Sequence, residues 1–275
     1  MWQVRFVMRK YWHVINTGIQ NMMVYRVNFL FRAAFGIIPL VATIFLWRKI
    51  YEGKEIGSNV AGYSLAGMIS YYLLVTMVDA LTAVNEDDWQ IATDIKDGNI
   101  SQFLLKPIDY LTYRFCLFVA GRFIYVAVSL IPVGLFIYYL RTFFVGPVDL
   151  LTFGLFLISV VLTALLQFLM SFTMALLAFW VLEVSTFIFI LFALEYIAGG
   201  HLFPLDILPP TISKVLNFTP FPYQLFFPVS IYLGRTSGTA LWWGLMIQTF
   251  WVVTFYLVAR FVWKRGIKKY SAVGG

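Results

Sequence analysis

Long apolar runs separated by short polar stretches pattern this chain, and four of the runs are long enough to cross a bilayer as single helices. A crossing helix needs about 20 mostly apolar residues, because no water reaches the hydrocarbon core to satisfy an exposed backbone group. The four runs are Val27–Trp47, Ala61–Val84, Cys116–Tyr138 and Thr239–Trp263. A fifth region, 151–198, carries no charge through Leu182 and would be about 48 Å long as one helix to that point. That exceeds one crossing, so the pattern is divided near Ser171–Thr173 into spans 151–170 and 174–198. Ahead of the first span, Val4, Val7, Tyr11, Val14, Ile15, Ile19 and Met22 recur at helical steps opposite Arg5, Arg9, His13, Asn16 and Gln20. Residues 1–26 therefore read as an amphipathic helix, lying in the headgroup plane or packed on the protein's own loop. The expected fold class is an all-α integral membrane protein, with six transmembrane helices in 27–263 and an N-terminal amphipathic interfacial helix.

Composition agrees. Hydrophobic residues make up 61% of the 275 and charged residues 12%, with a mean hydropathy of +0.83. That excess of apolar surface excludes a soluble enzyme, a disordered chain and a nucleic-acid binder. The net charge of +7 is read through topology, since Lys and Arg accumulate on the cytoplasmic side. Arg5, Arg9, Lys10 and Arg26 precede the first span with no acid among them, and Lys264, Arg265, Lys268 and Lys269 begin a basic tail, 264–275. Both termini are expected in the cytoplasm, which requires an even number of spans. Arg48, Lys49 and Lys54, against Glu52 and Glu55, pull the other way in the first external loop.

Three regions carry more than apolar bulk. In the cytoplasmic loop 85–115, six carboxylates from Glu86 to Asp109 face only Lys96 and Lys106 in the same stretch. Ile91 and Ile95 share a helical face flanked by Trp89, Gly98 is placed to stop that helix, and Leu104, Leu105 and Pro107 open a second short element. Such a helix either docks on a soluble partner or is a solvated acidic loop. The segment 199–238 holds six of the ten prolines and reads as an external re-entrant cap. Asp79, Glu183 and Glu195 lie within the spans, where a carboxylate is a candidate for contact with cargo. Tyr71 and Tyr72 join Asp79 and Glu195 as candidate pathway residues. The chain has no G-x-x-x-x-G-K-[ST] phosphate loop and no G-x-S-x-G nucleophile turn, and its two histidines, His13 and His201, stand far apart. Neither a catalytic site, a bound cofactor nor a metal site is expected in this chain.

Two stretches carry a resemblance. Asp94-Ile95-Lys96-Asp97-Gly98-Asn99-Ile100 followed by Leu104-Leu105-Lys106-Pro107-Ile108-Asp109, and Leu202-Phe203-Pro204-Leu205, Leu208-Pro209 and Thr219-Pro220-Phe221, are similar to motifs of the ABC-2 permeases of ATP-binding-cassette transporters. The likeness extends over nearly the whole chain, and it implies an exporter permease in the bacterial plasma (inner) membrane. The permease would pair with an identical or sister permease on two separate ATPase subunits, which bind the ATP and Mg. It would move a hydrophobic or amphipathic cargo outward. On that resemblance Trp89, Ile91, Asp94, Ile95, Gly98, Leu104 and Pro107 couple to the ATPase, and Phe203, Pro204, Pro209, Pro220 and Phe221 shape an outer gate. The competing readings are a secondary transporter driven by an ion gradient, for which 27–138 and 151–263 show no convincing repeat, and an intramembrane lipid-modifying enzyme.

Overall fold

The computed structural model describes residues 2–52, 59–60, 62–84 and 87–270, with side chains from Arg9 onward except those of Asp87 and Leu130. Lys54, Glu55, Ala61, Asn85, Glu86 and both chain ends, with the side chains of Val4, Arg5 and Val7, lie outside the described residues. Eleven α-helices are described: α1 (Trp2–Met23), α2 (Arg26–Tyr51), α3 (Leu65–Thr82), α4 (Asp87–Lys96), α5 (Ile100–Leu104), α6 (Tyr110–Tyr139), α7 (Leu150–Ala175), α8 (Ser185–Ala198), α9 (Pro210–Leu216), α10 (Phe226–Tyr232) and α11 (Gly238–Lys269). Among these residues, five stretches are long and apolar enough to cross a membrane: α2, α3, the Tyr110–Ser129 part of α6, Leu150–Phe179, and α11. The protein is a multi-pass, all-α membrane protein.

α3 is apolar on every side, and it is accordingly the central helix, touched by α2, α6, α7 and α10 with Met68–Val75 wholly buried. Ser64 starts it by accepting a hydrogen bond from the Gly67 amide, and Asp109 and Asp149 do the same for α6 and α7 through the amides of Thr112 and Thr152.

The region expected to hold spans 151–170 and 174–198 departs from that pattern. α7 runs straight through Ser171–Thr173, continues as a 3-10 turn, Leu176–Phe179, and breaks only at 180–184. Glu183 lies in that break and not inside a span. Its carboxylate accepts from the Ser185 amide at 3.0 Å and from the Ser185 hydroxyl, bonds that hold it below its ordinary pKa. α8 has only 14 residues, about 21 Å of helix. It ends at Gly199-Gly200, and the Phe226 amide of α10 donates to the Gly199 carbonyl at 2.9 Å. α8 and α10 together supply about 30 Å of helix, joined at that bond and separated in sequence by residues 200–225.

The first helix forms as expected, and α6 covers its apolar stripe. Arg9, His13, Asn16 and Gln20 are exposed, while Gly18 is buried so closely against α6 that a Cβ there would sit 3.1 Å from both Leu117 and Ala120. Lys10 Nζ donates to the Pro107 carbonyl at 2.6 Å, and Met22 touches Gly121. These contacts advance in the same direction along both chains, so α1 runs beside the first half of α6 and does not lie across it.

Candidate functional site

The α4–α5 connection folds as a bracket over one end of the bundle. Ile91, Ile95 and Ile100 are buried in a cluster with Tyr110, Phe118, Phe168, Phe172, Ala175, Leu176 and Ala259. The isoleucine ridge expected to dock on another protein is therefore covered by this chain's own α6, α7 and α11. Asp94 also turns inward, accepting from the Tyr110 hydroxyl at 2.7 Å with Arg114 at 3.9 Å. Gly98 terminates α4 with φ +78°, a conformation that a residue with a Cβ adopts only under strain, and its carbonyl accepts from the Tyr270 hydroxyl at 2.8 Å beyond the end of α11. The outward surface of the bracket is Trp89, Leu104, Leu105 and Pro107, with Leu105 89% exposed.

At the opposite, proline-rich end, the re-entrant segment is held at both of its levels. Near the surface, Arg235 Nε donates to Asp206 at 2.6 Å and its Nη1 to the Gly62 carbonyl at 3.0 Å, while the Tyr63 hydroxyl donates to the same Asp206 carboxylate at 3.1 Å. Burial and the Asp206 charge push the Tyr63 phenol well above its ordinary pKa. Deeper in, the Tyr223 carbonyl accepts from Thr163 Oγ1 at 3.1 Å and from Gln248 Nε2 at 2.9 Å. Non-helical backbone survives at this depth because α7 and α11 supply the donors that water supplies elsewhere. Of the expected gate residues, Pro204 and Pro220 are buried, Phe221 packs against the main core, Phe203 is half-buried and Pro209 is exposed. Among the described residues no ring contact joins Phe203 to Phe221.

Between these two ends lies a cavity of about 380 Å³. α8 contributes Ile188, Phe189, Leu191, Phe192, Glu195 and Tyr196, α7 contributes Gln167 and Ser171, and α3 contributes Asp79. Arg32 of α2, Asp88 and Trp89 of α4, and His201 complete the wall. Because α8 stops short, the Gly199–Leu202 turn sits inside the bundle: Tyr71 and Tyr72 hydroxyls donate to the Gly200 and Leu202 carbonyls at 2.6 and 2.7 Å. Tyr71 lies about 9 Å, and Asp79 about 21 Å, along α3 from its start. His201 Nε2, just past the turn, is 3.3 Å from Asp79.

Four residues were candidates for the pathway, and the cavity unites two of them, Asp79 and Glu195. Tyr71 is fully buried and Tyr72 nearly so, and both act as ties for the turn. Gln167, Ser171 and His201 also line the cavity, and none of them was among the candidates that the sequence offered for it. Gln167 stands in the uncharged run through Leu182, and a buried amide in such a run was itself a signal. A second cavity, of about 540 Å³, lies between α1, α2 and α6, and Arg32 borders both. Among the described residues no three His, Cys, Asp or Glu side chains group as metal ligands.

No curated protein matches this sequence. The profile described as ABC-2 family transporter protein matches residues 37–274, from within α2 through the α4–α5 bracket, α8 and α10 to beyond α11. With that match spanning most of its length, the chain belongs to the ABC-2 transporter family and is a membrane permease subunit of an ABC transporter.

Proposed function

We propose that this permease is the translocating half of an exporter, driven by a separate ATPase that docks on the α4–α5 bracket, and that it moves a hydrophobic or amphipathic cargo outward. The observation that carries the reading is the shared wall of the central cavity: Asp88 and Trp89 belong to the bracket, Glu195 lies near the end of α8 and His201 just beyond it. A push on α4 therefore alters the cavity directly, with no intervening element. In this reading the bracket, the basic end of α11 and both termini face the cytoplasm of a bacterial inner membrane. Two permeases, identical or sister chains, sit on two ATPase subunits that hold the ATP and Mg. The docking surface is the exposed edge with Trp89, Leu104, Leu105 and Pro107, while Ile91, Asp94, Ile95 and Gly98 transmit motion from inside. Phe203, Pro204, Pro209, Pro220 and Phe221 form the outer gate, released or closed as α8 and α10 shift.

The test is co-expression with the ATPase encoded beside the permease gene, followed by pull-down through a tag on the permease and by flux measurements in proteoliposomes. Trp89→Ala with Leu105→Asp should lower ATPase recovery and ATP-dependent flux while the permease still elutes as a folded species. Full recovery of the ATPase by that double variant would remove the docking assignment. Flux that needs an ion gradient and ignores ATP would replace the reading with that of a secondary transporter.

A further inference from the structure

Within the central cavity three carboxylates, Asp79, Asp88 and Glu195, stand against Arg32 and His201. Asp79 has His201 beside it at 3.3 Å, while among the described residues the hydrogen-bond partner of Glu195 is neutral, the Gln224 amide nitrogen at 2.8 Å. Among the described residues no basic group lies within ion-pair distance of Glu195. Gln167 and Ser171 line the same space, and the buried atoms Gln167 Oε1 and Ser171 Oγ have no hydrogen-bond partner. Gln224 Oε1, in the side chain that donates to Glu195, is also unpartnered. An amide oxygen can only accept and the Ser171 hydroxyl can also accept, so these groups suit a donor brought in by a ligand. Phe189 and Phe192 continue the cavity wall along α8 to an exposed surface, 69% and 58% accessible, with Phe192 about one turn from Glu195.

We propose that this cavity binds the cationic head of an amphiphilic cargo, an ammonium or guanidinium with N–H donors. Glu195 supplies the counter-charge, Gln167 and Ser171 accept from the remaining N–H groups, and Phe189 and Phe192 receive the apolar part. An ammonium offers three donors and a guanidinium five, which suits a carboxylate, an amide oxygen and a hydroxyl converging on one volume. An anionic head meets the carboxylates of Asp79, Asp88 and Glu195 against Arg32 and is repelled. A neutral head leaves the carboxylate uncompensated in a poorly hydrated space. The aromatic rings at the mouth favour the same sign of charge through their π faces. The volume is that of a site for a small organic ligand. The word "cargo" here rests on the permease reading; the binding chemistry does not.

The experiment uses the purified full-length chain in phosphatidylcholine nanodiscs, free of ATPase, titrated with three probes that share one fluorophore. They are dansylcadaverine (cationic), N-pentyl dansylamide (neutral) and dansyl-aminohexanoate (anionic). The cation should bind saturably and about ten-fold or more tightly than the neutral probe, with no saturable binding of the anion. Glu195→Gln should bring the cation-to-neutral ratio close to one, and Gln167→Leu should weaken the cation several-fold. The ranking of the three probes on the unmodified protein tests the proposal even if a variant fails to fold. Equal binding of all three, saturable binding of none, or a Glu195→Gln protein that keeps the preference would overturn it. The two readings can fail separately. Loss of charge preference with ATPase recovery intact removes only the substrate class. A cation preference without any ATPase association keeps the site and removes the exporter.

Discussion

Residues 199–237 and residues 83–109 are the two long connections of this permease, and they are fastened by different forces. The first enters the bundle with its backbone unprotected, and side-chain donors from neighbouring helices reach its carbonyls: Tyr71 to Gly200, Tyr72 to Leu202, Thr163 and Gln248 to Tyr223. The second stays at the end of the bundle and is held chiefly by apolar burial of Ile91, Ile95 and Ile100, with Tyr270–Gly98 and Tyr110–Asp94 as polar ties. The difference follows from solvent. At the water-facing end, removing an isoleucine from water stabilises by about 1.5–3 kcal/mol. Inside the bilayer apolar contact gains little over lipid, and each interhelical hydrogen bond is worth about 0.6 to 1.7 kcal/mol. Polar substitutions should therefore damage the bracket, and apolar ones the re-entrant segment.

The largest expected effect breaks the bracket. Ile95→Asp combines lost burial with a carboxylate in an apolar cluster and should cost about 4 kcal/mol or more, enough to remove most folded protein. The readout is monodisperse yield after detergent extraction. Trp89→Ala, on the exposed side of the same helix, should leave that yield near the parent value. If Ile95→Asp folded normally, the cluster would not be holding α4.

Next is the re-entrant segment. Gln248 donates to three acceptors, the carbonyls of Ser159 and Tyr223 and Thr163 Oγ1, and accepts from Ser159 Oγ. Gln248→Leu is nearly isosteric and would be harmless in an ordinary lipid-packed helix. Here it should lower stability by about 1–3 kcal/mol by leaving Ser159 without its acceptor and the Tyr223 carbonyl with Thr163 alone. Thermal melting followed by size-exclusion peak height reads the loss. Gly200→Ala should act in the same range, because φ is +100° and the added Cβ would come 2.7 Å from the Tyr71 hydroxyl. A smaller step comes from the surface clasp. Arg235→Ala breaks a half-exposed ion pair and its bond to Gly62, for about 1 kcal/mol or less, and that loss should shrink in high salt.

What could be read in advance divides along the same line. The long crossings were legible because a block of apolar residues has few alternatives to a spanning helix. The break at 180–184 was not, since Trp180, Val181 and Leu182 extend the apolar run. Gly199-Gly200 was visible as a turn, but its depth is set by Tyr71 and Tyr72 from more than a hundred residues away. Ile91 and Ile95 were visible as one helical face, yet spacing alone told neither whether that face is covered nor by what. Asp79 and Glu195 were singled out one at a time. Only the shortness of α8 brings them to one cavity with Gln167, Ser171 and His201, and no local pattern encodes that.

The smallest expected effect sharpens the comparison at the bracket's far edge, where a titratable group joins it to α11. Asp109 caps α6 through the Thr112 amide and hydroxyl at 3.0 and 2.7 Å and also pairs with Arg260. Burial alone would raise its pKa, but the bonds from Thr112 and Arg260 outweigh it and hold the carboxyl below its ordinary range. A depressed folded-state pKa means stability that is fully present above the unfolded value, about pH 4, and lost as pH falls through the folded one. Because both side chains of the pair are more than a third exposed, screening limits the effect to a few tenths of a kcal/mol. Melting curves of the detergent-solubilised chain between about pH 3 and 6 should thus fall less steeply toward acid for Asp109→Asn than for the parent. Gln248→Leu, which titrates nothing, should keep the parent slope at a lower melting point. Parallel slopes for the parent and Asp109→Asn would mean that this tie adds nothing to the bracket, leaving its hold to the isoleucines and the Tyr270–Gly98 and Tyr110–Asp94 bonds.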